Sequence, residues 1–86
     1  MEKHLGTITI LIEDRQKNAR AVNDMLTDNG HLIVARLGAN VQPKCMEQCT
    51  GMIIVATEGT TEEINAFGEA LDTLEGTTVK TCIVTE

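Results

Sequence analysis

The chain reads as a single α+β domain of the ferredoxin-like type, with two helices on one face of a four-stranded antiparallel sheet. Three features predict it. A β-α-β order occurs twice, the apolar spacing switches between the period of a strand and that of a helix, and 86 residues leave room for one hydrophobic core. The two halves divide near Pro43 and are alike in pattern rather than in residue identity.

Leu5 to Ile12 is rich in β-branched residues and alternates, with Ile8, Ile10 and Ile12 on one side and Thr7, Thr9 and Leu11 on the other, which predicts the first strand. Asp14 is placed to cap the helix that follows. In that helix Ala19, Val22, Met25 and Leu26 recur at three- and four-residue spacing until Asn29-Gly30 supplies a left-handed stop. His31 to Leu37 is the second strand and Gly38 ends it. Ala39 to Cys49 holds the only proline and reads as a hairpin connection longer than a tight turn.

The third strand is Thr50 to Thr57, and its run Met52, Ile53, Ile54, Val55 predicts a central position covered on both faces. Thr60-Thr61-Glu62-Glu63 has capping-box spacing and starts a second helix, whose stripe is Ile64, Phe67, Leu71 and Leu74. Glu75-Gly76 closes it before the last strand, Thr77 to Val84.

Two right-handed β-α-β units joined by a hairpin put both helices on one face and strands one and three in the centre. Ile8, Ile10, Ile12, Ile53 and Val55 should therefore meet Val22, Leu26, Phe67 and Leu71. The opposite face has no helix left to cover it, and its apolar side chains predict a partner, most simply a second copy of the chain in a dimer or tetramer. The plain alternative is a face that Thr7, Thr9, Arg36, Lys80 and Thr81 make polar enough for water.

A formal net charge of −6, scattered basic residues and a single aromatic, Phe67, argue against direct nucleic-acid binding, which needs clustered cations and stacking surfaces. No apolar run is long enough for a bilayer and no leader is recognised, so the expectation is a domain without a membrane anchor. Three cysteines, an odd number, point to a reducing cytoplasm rather than to a disulfide scaffold.

No catalytic constellation is visible: the sequence has no serine, no Gly-rich phosphate loop and no cysteine with a motif-placed histidine. The adjacent acids Glu13-Asp14 and Glu62-Glu63 sit near helix starts, where they suit the helix dipole. The expectation is a protein that is not an enzyme and carries no cofactor.

The Ile12-Glu13-Asp14-Arg15 junction, Ala21-Val22-Asn23, Arg36-Leu37-Gly38 and Val79-Lys80-Thr81, in that order and spacing, resemble the small regulator proteins of the iron-only hydrogenase system. That family is similar in fold to ACT domains and to the ligand-binding domain of the nickel-responsive repressor. The resemblance implies a regulatory binding domain that takes a small effector at a subunit boundary. The repressor's DNA-binding ribbon-helix-helix segment has no counterpart here, so transcriptional regulation would run through another protein.

ACT-like domains bind effectors where the first strand turns into the first helix, and helix N–H groups point outward at such a junction. Here that place is Glu13, Asp14 and Arg15, joined by Asn18 and by backbone near Gly38, a set suited to a polar ligand such as an amino acid. The plain alternative is an Asp14 cap flanked by solvated Glu13 and Arg15.

Cys45 and Cys49 offer two thiols in one loop, read as ordinary loop cysteines, as a redox pair if their Cα atoms come within about 7 Å, or as a metal site shared with His31. Cys82 reads as an inert buried side chain in the last strand, and neither His4 nor His31 lies in a paired His-x-His arrangement that would support nickel. Two further readings stay open: a protein–protein assembly module without a small ligand, and a minor metal or thiol-redox role at Cys45 and Cys49.

Overall fold

Alternating isoleucines set the centre of the sheet. The computed structural model describes residues 2–85. In it β1 (His4–Ile12) pairs antiparallel with β3 (Gly51–Gly59) on one side and β4 (Thr77–Ile83) on the other. β2 (Ile33–Ala39) adds outside β3, giving the order β2-β3-β1-β4. Helices α1 (Arg15–Asp28) and α2 (Thr61–Asp72) connect β1 to β2 and β3 to β4, with a 3-10 turn at Gly30–Leu32 that takes in His31. This is the ferredoxin-like arrangement, with β1 and β3 central.

Register explains the core. Ile8 lies opposite Val55 and Ile10 opposite Ile53 and Val79, so one face collects the branched side chains of three strands. Val22 and Leu26 of α1 and Ile64, Phe67 and Leu71 of α2 close over them. Ile8, Ile10, Val22, Leu26, Val55, Ile64 and Leu71 are wholly buried. Truncating one of them to alanine costs about 2–5 kcal/mol.

The two helices start differently. At α2 the capping box is complete, since the Glu63 N–H donates to the Thr60 hydroxyl at 3.1 Å and the Thr60 N–H donates to Glu63 Oε1 at 2.9 Å. At α1 the expected Asp14 side-chain cap is absent: Asp14 holds a left-handed backbone, φ 50° and ψ 66°, and its carboxylate makes no cap bond. Its carbonyl accepts instead from the Lys17 and Asn18 N–H groups, both at 3.0 Å. Gly68 lets α2 lie close on β4, because a Cβ there would collide with the Thr81 side chain.

The uncovered face differs from expectation in three respects. Arg36 lies opposite Val55 and Thr81 opposite Ile8, which puts both on the helix side, and Arg36 Nη2 donates to Asn23 Oδ1 at 2.9 Å. Neighbouring strand residues cannot share a face, so Lys80 excludes Thr81, and the irregularity between Ile33 and Ala35 resets the alternation of β2. β3 is covered on its helix side only, leaving Ile54 partly exposed. Cys82, expected to be buried, is exposed on the open face opposite Thr7.

The open face is divided. Leu37, Ile54, Met52 and Leu11 form an apolar band across β2, β3 and β1, flanked by Ala35, Ala39 and Ala56. Thr78, Lys80 and Cys82 of β4, with Thr7 and Thr9, make the other side polar. Among the described residues, no helix is long and apolar enough to cross a membrane.

Candidate functional site

One corner of the domain gathers most of the residues singled out above. It is built from the end of β1, the first turn of α1, the 40–50 loop and the turn before β4. The Glu13 N–H donates to the Gly76 carbonyl at 2.8 Å, and Asn18 Nδ2 donates to the Glu13 carbonyl at 2.7 Å. Gly76 has φ +76°, and a Cβ on it would run into the Asn18 amide and the Glu13 carbonyl. Lys17 and Glu75 form an ion pair at 3.4 Å beside it, exposed enough to add little stability.

Arg15 binds the corner to the loop. Its N–H donates to the Cys49 carbonyl at 2.7 Å, and its Nη1 donates to the carbonyls of Val41 at 3.2 Å and Thr50 at 3.1 Å. Its aliphatic stem lies over Gly51, where a Cβ would come within 3.2 Å of Arg15 Cβ. Arg15 is therefore half-buried and engaged, unlike the solvated residue of the plain alternative. The hydrogen bonds of its guanidinium to the loop both come from Nη1.

Gln16 is a corner residue that sequence reasoning missed. Its Oε1 accepts from the Cys49 N–H at 3.1 Å and its Nε2 donates to Cys49 Sγ at 3.2 Å. Nothing in the local pattern marks it, because its partner lies 33 residues away. Gln42, equally unmarked, accepts the Thr50 N–H on Oε1 at 2.7 Å.

The loop brings Cys45 and Cys49 together with Cα atoms 5.8 Å apart, and their sulfurs are joined as a disulfide. Cys49 is fully buried and Cys45 half-buried. The metal arrangement that paired them with His31 is overturned: His31 follows the far end of α1, about 20 Å away by the rise of a 14-residue helix. Among the described residues, no three His, Cys, Asp or Glu side chains converge on a common point. Among the described residues, the non-glycine ones with positive φ are Asp14, Gln42 and Gln48, and all three border this corner. Gly38 stands apart: it pairs with Ile53 in β2, and the loop reaches the corner through Val41 instead.

A concavity of about 270 Å³ lies away from this corner, at the opposite end of the helices, lined chiefly by Asn29, His31, Leu32, Glu63 and Phe67. Glu63 there is held below the usual carboxylate range, first by the Thr60 backbone N–H and then by the Thr60 hydroxyl, with a smaller contribution from the His31 charge.

A family model described as "TM1266-like: Iron-only hydrogenase system regulator, putative" matches residues 4–81. The chain belongs to this family. Among solved structures it is similar to the uncharacterized protein TM1266 from Thermotoga maritima, with a TM-score of 0.84 and 28% identity over 98% of this chain and 100% of that one. It is also similar to part of the YXEP protein of Bacillus subtilis, a dinuclear metal-binding peptidase of the M20 family. There the TM-score is 0.60 at 10% identity, over 96% of this chain and 26% of the peptidase, a likeness of fold alone. No curated protein matches the chain.

Proposed function

We propose that this member of the hydrogenase-regulator family is a non-catalytic cytoplasmic domain that works as a dimer or tetramer and takes a small polar effector at the Glu13–Arg15 corner, where subunits meet. The observation that carries the reading is the divided open face. Leu37 is 63% exposed, Leu11 37% and Ile54 36%; Leu37 pairs with Ile54, Leu11 lies diagonally across on β1, and no described element of their own chain covers them. A second copy presenting the same band is self-complementary, as an isologous interface requires.

The corner suits an amino-acid-like ligand. Arg15 supplies a fixed cation, and the Glu13 and Asp14 carboxylates can receive an ammonium group. An effector that binds only the folded state raises the melting temperature by mass action. The test is a thermal-shift screen of the full chain against amino acids and nucleotides. A response lost in Glu13→Gln/Asp14→Asn supports the site, and a response that survives in that variant moves the ligand elsewhere.

A second reading, an assembly module that holds a protein partner and no small molecule, is favoured by the Asn18 amide and Arg15 Nη1 being occupied within the chain. A screen with no response at millimolar ligand supports that reading instead.

A further inference from the structure

We propose that Cys45 and Cys49 form a thiol–disulfide exchange site, with a dithiol as co-substrate, and that opening it frees the 40–50 loop and reshapes the first turn of α1. The proposal deepens the reading of this corner by naming its regulation, and its chemistry can be tested whether or not an effector binds.

The two sulfurs differ in access and surroundings. Cys45 is half-buried, whereas Cys49 is wholly enclosed, so an external thiolate reaches Cys45 Sγ first. Cys49 is then the leaving group. A thiolate on Cys49 would meet the Gln16 Nε2 donor, now at 3.2 Å, and would stand at the N-terminal end of a 14-residue helix, whose dipole favours negative charge. The second thiol of the reductant attacks the mixed disulfide at its own sulfur and releases Cys45. Two electrons and two protons pass from the dithiol to the protein, leaving two cysteine thiols and an oxidised, cyclic reductant. The Cys45 thiol finds the Glu47 carbonyl 3.3 Å away.

The same bond governs the corner because Cys49 is the residue that fastens the loop. Its N–H, its carbonyl and its sulfur all bond to Gln16 or Arg15. The closed ring holds Gln48, next to Cys49, with φ 50°, a region that residues with a side chain seldom occupy. Gln42, whose carbonyl receives the Cys45 N–H at 3.0 Å, precedes the ring and has φ 51°. Once the ring opens, Gln48 is free to return to an extended conformation, which turns the Cys49 peptide away from Arg15 and Gln16. In a reducing compartment a disulfide is more often a switch than a brace.

The test uses the full chain carrying Cys82→Ser, which removes the exposed third thiol without touching the corner. The protein is equilibrated across a series of reduced-to-oxidised dithiothreitol ratios, alkylated and weighed, and amide hydrogen exchange is followed at Arg15, Cys49 and Ile10. The expected result is a protein with no free thiol at the oxidised end and two at the reduced end. In the reduced form Arg15 and Cys49 exchange at least tenfold faster while Ile10 in β1 is unchanged. Cys45→Ser/Cys49→Ser should show the fast exchange at every ratio. Two free thiols throughout, or equal protection of Arg15 and Cys49 in both forms, overturns the switch. An unresponsive ligand screen bears on the effector reading alone.

Discussion

Replacing Arg15 by methionine isolates what the guanidinium does, because methionine keeps an unbranched stem over Gly51 and removes only the donors. The bonds lost are those from Nη1 to the Val41 carbonyl at 3.2 Å and the Thr50 carbonyl at 3.1 Å. A hydrogen bond from a charged donor contributes about 1.5–3 kcal/mol, and these carbonyls are only part-buried, so water recovers some of the loss. The expected destabilisation is about 2 kcal/mol for the pair, or roughly 8–15 °C in melting temperature for a domain of this size. With no tryptophan or tyrosine in the sequence, far-UV circular dichroism is the assay of choice. The loop amides Cys49 and Thr50 should exchange faster while the β1 amides do not. A melting point within about 2 °C of wild type, with loop protection intact, would refute the claim that Arg15 ties the loop to α1.

Three further outcomes follow from particular atoms. The Thr57 hydroxyl is buried with no partner among the described residues, so Thr57→Val should stabilise the fold by about 1 kcal/mol and raise the thermal midpoint; a lower midpoint contradicts it. Gly76→Ala forces a left-handed backbone on a residue with a Cβ and displaces the Asn18 amide, at a cost of about 1–2 kcal/mol in urea unfolding; an unchanged midpoint would show that the turn relaxes freely. The folded-state pKa of Glu63 is depressed, so the capping box contributes stability above the ordinary carboxylate range and loses it as pH falls through the lowered folded value. Wild type should therefore lose more thermal stability on acidification than Glu63→Gln, and parallel pH profiles would contradict this assignment.

The sheet was legible because its signals are local and periodic. Ile8, Ile10 and Ile12 alternate without interruption, and the Thr60–Glu63 capping box lies within four consecutive residues. Pairing partners were less legible. Arg36 changed faces through an irregularity in β2 that no residue type announces, and Thr81 did so because its neighbour Lys80 already held the open side.

The corner was legible only in part. The strand-to-helix junction drew attention to Glu13, Asp14 and Arg15, but Gln16, Gln42 and Gln48 act through long-range bonds and left-handed backbone. Glutamine is not a residue that marks turns, so its positions gave no sign. The cysteine spacing raised a redox pair among other readings, and the loop conformation that joins the two sulfurs could not be read from spacing alone.

The central claim is that a second copy of the chain covers the apolar band around Leu37 and Ile54. Sedimentation equilibrium over a wide concentration range tests it most directly, run on wild type and on Leu37→Glu. Leu37 is on the surface of the isolated chain, so the variant keeps its fold and its circular dichroism. Losing about 1–2 kcal/mol of burial in each of two copies weakens association by roughly a hundredfold. The account predicts a wild-type mass above that of one chain and a variant that dissociates at concentrations where wild type does not. A wild-type protein that stays monomeric throughout, or a variant that associates equally well, would contradict it.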